Sequence, residues 1–273
     1  MAGARVSTVA TPSRTCSTSH VQAEMHGKVI LVTGGGRGVG RGIANAFLAA
    51  GAEVVVCGRK PPVTLPEVAG RSAAFLAADV RESEQVDRLI GEVVLRHGHL
   101  DVLVNNAGGS PAADSATASP RFSAAIIQLN LVAPLWLAQR ARAAMTGGGC
   151  ILNIASVSGT RPSPGTAAYG AAKAGLINLT QTLAVEWAPD VRVNAIVAGP
   201  LQTELAHLHY GSEAGVAAVA ATIPMRRLGL PDDIGDACVF LASERARWIT
   251  GAALVIHGGG ERPAFLDAAK AGP

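Results

Sequence analysis

Seven short apolar runs recur along the chain, at residues 28–33, 53–57, 73–77, 101–104, 151–155, 191–197 and 252–257. Their interiors are mostly apolar, as expected of strands buried on both faces. Longer stretches of helical composition separate them. The segment to Ala50 is rich in Ala and Leu, and 81–98 sets Val86, Leu89, Ile90, Val93 and Val94 on one side at helical spacing. Further helices are predicted over 121–145, 171–187 and 231–241, the last with Pro231 near its start. Pro61, Pro62 and Pro66 break the connection after the second run, so any helix there is short. Strands alternating with helices predict an α/β fold.

Composition narrows this picture. A chain of 273 residues suits one large domain with a sizeable core. It is 49% hydrophobic and only 16% charged, yet no run of about 18 uninterrupted apolar residues appears, so no membrane span is expected. A net charge of +3, without a Lys/Arg stripe interleaved with aromatics, argues against nucleic acid. Low charge fits an apolar surface for self-association. Cys16, Cys57, Cys150 and Cys238 form neither a disulfide framework nor a metal-ligand pattern, and no metal is expected. Cys57 and Cys150 read as small core residues, and a reducing cytoplasm fits. Residues 1–25 are rich in Ser, Thr and Ala, with Glu24 the only acid and no apolar core of signal length. They read as a disordered extension, with Met25 a candidate start, and 261–273 as a tail in which Phe265 and Leu266 can dock.

The chemistry gathers where strands end. The first run is followed by Gly34-Gly35-Gly36-Arg37-Gly38-Val39-Gly40 and then a helix. Glycines there permit a tight turn and let a pyrophosphate approach the N–H groups of the helix end. A carboxylate that accepts from an adenosine ribose is expected about 20 residues on, at the end of the second strand. That place holds Gly58, Arg59 and Lys60, while Glu53 is too early. Two cations and no carboxylate match a 2′-phosphate, so NADP(H) is favoured over NAD(H), and Arg37 points the same way. Asn105-Asn106-Ala107-Gly108 follows the fourth run, and Asn130 sits in mid-helix, where Asn is a poor helix former. Ser156 stands at the end of the fifth run. Tyr169 and Lys173 are four apart, so on a helix their polar ends share a face. A phenol, an ammonium and a hydroxyl together suggest proton transfer. Residues 201–224 form a long segment of the kind that closes over sites, carrying Leu205, Leu208, Tyr210, Val216 and Val219. Arg161, between Ser156 and Tyr169, is a candidate contact for an anionic substrate group.

These pieces, in this order and at this spacing, resemble the short-chain dehydrogenase/reductase family from Met25 to Gly260. They are residues 33–40, Asp79 with Val80, 105–108, Asn130, Ser156, 169–173 and 199–203. The resemblance implies a single Rossmann domain over 26–260, doubly wound around a seven-stranded parallel sheet. It implies a homotetramer or homodimer built through helices 121–145 and 171–187. It makes Tyr169 the general acid/base and has Lys173 hold the nicotinamide ribose and lower the phenol pKa. Ser156 would bind the substrate oxygen, and Asn130 would anchor a water in the proton path. Gly34, Gly36, Arg37, Gly38, Val39, Gly40, Arg59, Asp79, Val80, Asn106, Ala107, Gly108, Gly199, Pro200, Leu201 and Thr203 would line the dinucleotide, together with Tyr169 and Lys173. Ala198 stands where a proline is frequent, implying a less rigid loop, and His257 where an Asp is frequent, implying a structural difference. The activity implied is direct hydride transfer between NADP(H) and a carbonyl or secondary alcohol. The substrate is expected to be bulky and apolar, derived from a steroid or an acyl thioester. A dinucleotide-binding sensor without turnover, or a dehydratase or epimerase, is the alternative.

Overall fold

Val29–Thr33 is buried at all five positions. A strand with no face to give to water belongs in the middle of a sheet covered on both sides. The computed structural model, which describes residues 25–204, 206, 210–261 and 263, places it there. The strands are Val29–Thr33 (β1), Glu53–Gly58 (β2), Ala74–Ala77 (β3), Val102–Asn105 (β4), Gly149–Ser156 (β5), Val191–Ala198 (β6) and Ala253–Ile256 (β7). They form one seven-stranded sheet in the order β3-β2-β1-β4-β5-β6-β7, and every pairing is parallel. The seven apolar runs become these seven strands, with ends moved by at most two residues. The expectations for residues 1–24, for Leu205 and Leu208, and for Phe265 and Leu266 lie outside the described residues.

Parallel strands need crossovers, and the helices supply them: Gly38–Ala49 (α1), Ser83–His97 (α2), Pro120–Ile127 (α3), Ala133–Ala144 (α4), Ala167–Trp187 (α5), Glu213–Thr222 (α6) and Pro231–Ala242 (α7). Alternation along β1 divides the core. Ile30 and Val32 pack with Ile43 and Phe47 of α1 and with Ile234 and Cys238 of α7. Val29 and Leu31 face the other way, onto Val86 and Leu89 of α2, Leu137 and Ala141 of α4, and Leu183 of α5. Cys57, Cys150 and Cys238 are free and buried. Burial pushes the Cys57 thiol up to about 12 and Cys150 to about 11, which leaves both unreactive.

Several boundaries differ from expectation. The helix expected over 171–187 begins at Ala167, so Tyr169 lies inside its first turn. Gly170 lies within that turn, and a Cβ there would lie 2.8 Å from the Ser158 carbonyl oxygen. The glycine serves close packing. The helix expected over 121–145 begins at Pro120, capped by the Ser119 side chain, and is interrupted by a π turn, Gln128–Val132. By length and composition Pro120–Ala144 is apolar enough to cross a membrane. Here its Leu137, Ala138 and Ala141 face the sheet and α2. The flanks of the two helical stretches expected to meet a neighbouring subunit carry Ile127 and Val185, 37% and 83% exposed. The proline-broken connection forms a short antiparallel pair, Glu67–Val68 with Arg71–Ser72. Segment 201–224 includes α6.

Two glycines bring α1 and α7 into contact. A Cβ on Gly42 would lie 2.4 Å from Pro231 Cβ and 2.6 Å from its carbonyl carbon, and one on Gly235 would lie 2.8 Å from Ala46 Cβ. Ala gains about 1 kcal/mol over Gly in helix propensity, but overpacking against backbone that cannot rotate away costs about 1–3 kcal/mol. Gly42→Ala is therefore expected to lower stability, by up to about 2 kcal/mol. Thermal and urea melts read the change, and an unchanged or raised midpoint would show that the seam relaxes.

Candidate active site

The sheet order reverses between β1 and β4, and helices leave those strands for opposite faces. A crevice must open beyond their carboxyl ends. Thr33, the last residue of β1, bridges it. Its hydroxyl accepts from the N–H groups of Asn106 at 3.0 Å and Ala107 at 2.9 Å. Asn106 returns a bond from Nδ2 to the Thr33 carbonyl at 2.8 Å.

The glycine turn springs from this joint. Gly34 and Gly38 hold φ of +66° and +52°, in the left-handed region. A Cβ on Gly40 would lie 2.4 Å from the Gly34 carbonyl oxygen and 2.5 Å from Asn106 Nδ2. The backbone is thus bare and tightly folded at the head of a twelve-residue helix whose first turn has no acidic residue. Such a cradle fits the pyrophosphate of a dinucleotide. Val39 packs on the core behind it. At the end of β2, Arg59 is exposed, and its charge reaches Asp79. Asp79 is bound by Arg81 through Nε at 2.9 Å and Nη2 at 2.5 Å, and this pairing holds its carboxyl below the usual range. Val80 beside it is buried. On the far side, the Pro200 carbonyl accepts from Gly229 N–H at 3.0 Å, and Gln202 N–H donates to the Gly229 carbonyl at 2.8 Å. These bonds tie residues 200–202 to the turn that precedes α7. A Cβ on Gly199 would lie 2.5 Å from His257 Cβ, so His257 acts there through packing.

The proton-handling groups converge beside the turn. Ser156 ends β5 in register with Ala198, and its Oγ accepts from Ser158 N–H at 3.2 Å. The Tyr169 phenol shares a hydrogen bond with Ser156. Lys173 is 3% exposed, donates from Nζ to the Ile154 carbonyl at 2.8 Å, and stands 5.5 Å from the centre of the Tyr169 ring. Gly108 closes the gap to β4: a Cβ there would lie 3.3 Å from Lys173 Nζ and 2.6 Å from Asn130 Oδ1. Asn130 is wholly buried at the π turn. It clamps Gly109, with Oδ1 accepting from its N–H and Nδ2 donating to its carbonyl, both at 3.0 Å, and also donates to the Ile126 carbonyl at 2.9 Å. Its side chain is therefore first a backbone clamp.

In the cofactor-free protein the Tyr169 phenol is pushed above its ordinary value by burial, with the Ser156 bond pulling the other way. Lys173 does not reverse this. Burial lowers its own pKa to about 8.

Asn153 and Thr180 escaped the sequence reading, and Asn105, Tyr210 and Arg161 meet partners it did not name. Asn105 donates to Asn153 Oδ1 at 2.9 Å, and Asn153 donates to Thr180 Oγ1 at 2.9 Å, a buried polar ladder joining β4, β5 and α5 beneath the site. An amide inside the apolar run 151–155 was the available signal. Tyr210 hydrogen-bonds the Leu201 backbone and lies near enough to Tyr169 to raise it further. Arg161 pairs with Glu261, so its charge is already matched within the chain.

Comparison with known proteins agrees with this geometry. Residues 34–261 match the family model described as enoyl-(acyl carrier protein) reductase. The chain is 35% identical over 246 residues to a 3beta-hydroxysteroid dehydrogenase of Eggerthella lenta, covering 86% of this chain and 94% of that one. It is 36% identical over 261 residues to the L-fucose dehydrogenase of Bos taurus, covering 90% and 94%. The crystal structure of a short-chain type dehydrogenase/reductase from Mycobacterium marinum superposes with a TM-score of 0.82 at 31% identity, over 90% of this chain and all of that one. The chain belongs to the short-chain dehydrogenase/reductase family, NAD(P)-binding oxidoreductases of CH–OH groups.

Proposed function

We propose that this protein interconverts a secondary alcohol and a ketone, with NADP(H) preferred and Tyr169 the general acid/base. The observation that carries the proposal is the meeting of Ser156, Tyr169 and Lys173 beside the glycine turn. The bound dinucleotide supplies or accepts the hydride. Ser156 Oγ hydrogen-bonds the substrate oxygen and orients it toward the phenol. Tyr169 gives that oxygen a proton in reduction and takes one in oxidation. Its free pKa near 10 must fall by about 3 units to work near neutrality. Burial alone drives it upward, so the fall has to come from positive charge brought to the site. Lys173 is mostly an ammonium at pH 7, is held beside the Tyr169 ring by its bond to the Ile154 carbonyl, and would hold the nicotinamide ribose. Asn130 keeps Gly109, and so the floor of the crevice, in position, and takes the water-anchoring role through what its clamp leaves free. A sensor without turnover would lack one of these groups, and none is missing.

Gly58, Arg59 and Lys60 support NADP(H). Asp79, the carboxylate at that end of the sheet, is already neutralised by Arg81 and does not oppose a 2′-phosphate. We take the substrate as bulky and apolar, derived from a steroid or an acyl thioester. The hydroxysteroid dehydrogenase among its relatives supports this, and the fucose dehydrogenase makes a sugar the control substrate.

In a panel of steroid, acyl-thioester and sugar alcohols followed by nicotinamide absorbance, Tyr169→Phe should lose at least about a thousandfold in kcat while dinucleotide binding survives. Retained turnover would remove the acid/base role. Efficiency with NADP should exceed that with NAD, and Arg59→Ala should narrow the ratio. A wild-type preference for NAD would overturn the cofactor assignment.

Burying Lys173 also has a signature in stability. Its pKa is near 10.5 when unfolded and about 8 when folded. Between those values the unfolded chain binds more protons, so stability rises with pH across the window, and the full cost of the buried ammonium is felt below it. Lys173→Met should melt higher than wild type at pH 7, and the lead should shrink from pH 8 to 10. A lower midpoint at pH 7 would mean that the bond to Ile154 outweighs desolvation.

A further inference from the structure

The N–H of Gly38 heads α1 at the place where the glycine turn fits a pyrophosphate. It is engaged: it donates to Oε1 of Glu204 at 3.0 Å. The second carboxylate oxygen also lies beside this residue, since a Cβ on Gly38 would stand 3.9 Å from Glu204 Oε2, with Thr203 Cγ2 at 3.7 Å. The contact spans 166 positions in sequence, so tertiary structure and no local turn brings it about. Nor does the helix supply its own cap. Arg37 makes no side-chain cap bond, and the first turn holds no acid. Glu204 thus offers the helix end what a phosphate offers it, a negative oxygen on a terminal N–H.

One N–H cannot serve both anions at full strength, and a carboxylate left beside a pyrophosphate repels it. We infer that Glu204 is an internal competitor for the pyrophosphate subsite, holding the Gly38 N–H in the cofactor-free protein and withdrawing when a dinucleotide binds. The inference rests on the dinucleotide reading proposed above. Glu204 then weakens cofactor binding by the strength of the bond that must first be broken, and the effect is confined to ligands that carry phosphate at this point.

Calorimetric titration of the full chain tests this. Glu204→Gln keeps the shape of the side chain and removes its charge. Breaking one charge-assisted bond to a backbone N–H corresponds to about tenfold in affinity. The variant is expected to bind NADP and NADPH about tenfold tighter than wild type, and inorganic pyrophosphate tighter by a similar factor, with adenosine unchanged. Glu204→Ala should show the same pattern, and it provides the test if the Gln variant melts abnormally. Equal or weaker dinucleotide binding by the variants, or an equal gain for adenosine, overturns the competitor role while leaving the dinucleotide site intact. If neither wild type nor variant binds any dinucleotide, the reading of the turn fails and the competitor role fails with it.

Discussion

The Thr33 hydroxyl accepts the N–H groups of Asn106 and Ala107, and on this joint the two halves of the site depend. Where the sheet order reverses, β1 and β4 lie side by side but their chains depart to opposite faces. Backbone groups at those strand ends lose their ladder partners and cannot be left buried and unpaired. Thr33 and Asn106 satisfy them with each other. The phosphate cradle on one side and the floor of the reaction pocket on the other are thereby held at fixed spacing. The buried ladder Asn105–Asn153–Thr180 extends the same solution across β5 to α5. It anchors the helix that carries Tyr169 and Lys173.

Lys173 shows how the site departs from the rule that governs the core. A fully buried ammonium is unfavourable, and its pKa falls to about 8 in consequence. The Tyr169 phenol is likewise pushed toward its neutral form. Burial favours the neutral form of both groups, yet Lys173 stays mostly an ammonium at pH 7, and an added positive charge moves the phenol toward ionisation. Glu204 meets the head of α1 at the Gly38 N–H.

Much of this was legible in the chain. The strands announced themselves because a parallel sheet covered on both faces demands largely apolar runs. The Gly34–Gly40 turn, Asn130, Ser156, Tyr169 and Lys173 stood out because each residue type is costly or unusual where it occurs. Boundaries were less readable. The helix expected from Ala171 begins at Ala167, and only the Ser158 carbonyl pressed against Gly170 shows why a glycine lies within the first turn. The π turn at Asn130 leaves no mark in composition. Arg161 read as a free cation because Glu261, its partner, is 100 positions away.

The sequence by itself determined the fold class, the order of the elements and the residue types able to carry the chemistry, because hydrophobic period and glycine placement act locally. Tertiary structure decided which of those residues meet. Asn153 found Asn105, Arg161 found Glu261, and the Gly38 N–H found Glu204 because packing a twisted parallel sheet gathers distant strand ends at one edge. It also decided the direction of the Tyr169 and Lys173 shifts, since burial is a property of what surrounds a group and cannot be read from its neighbours in the chain.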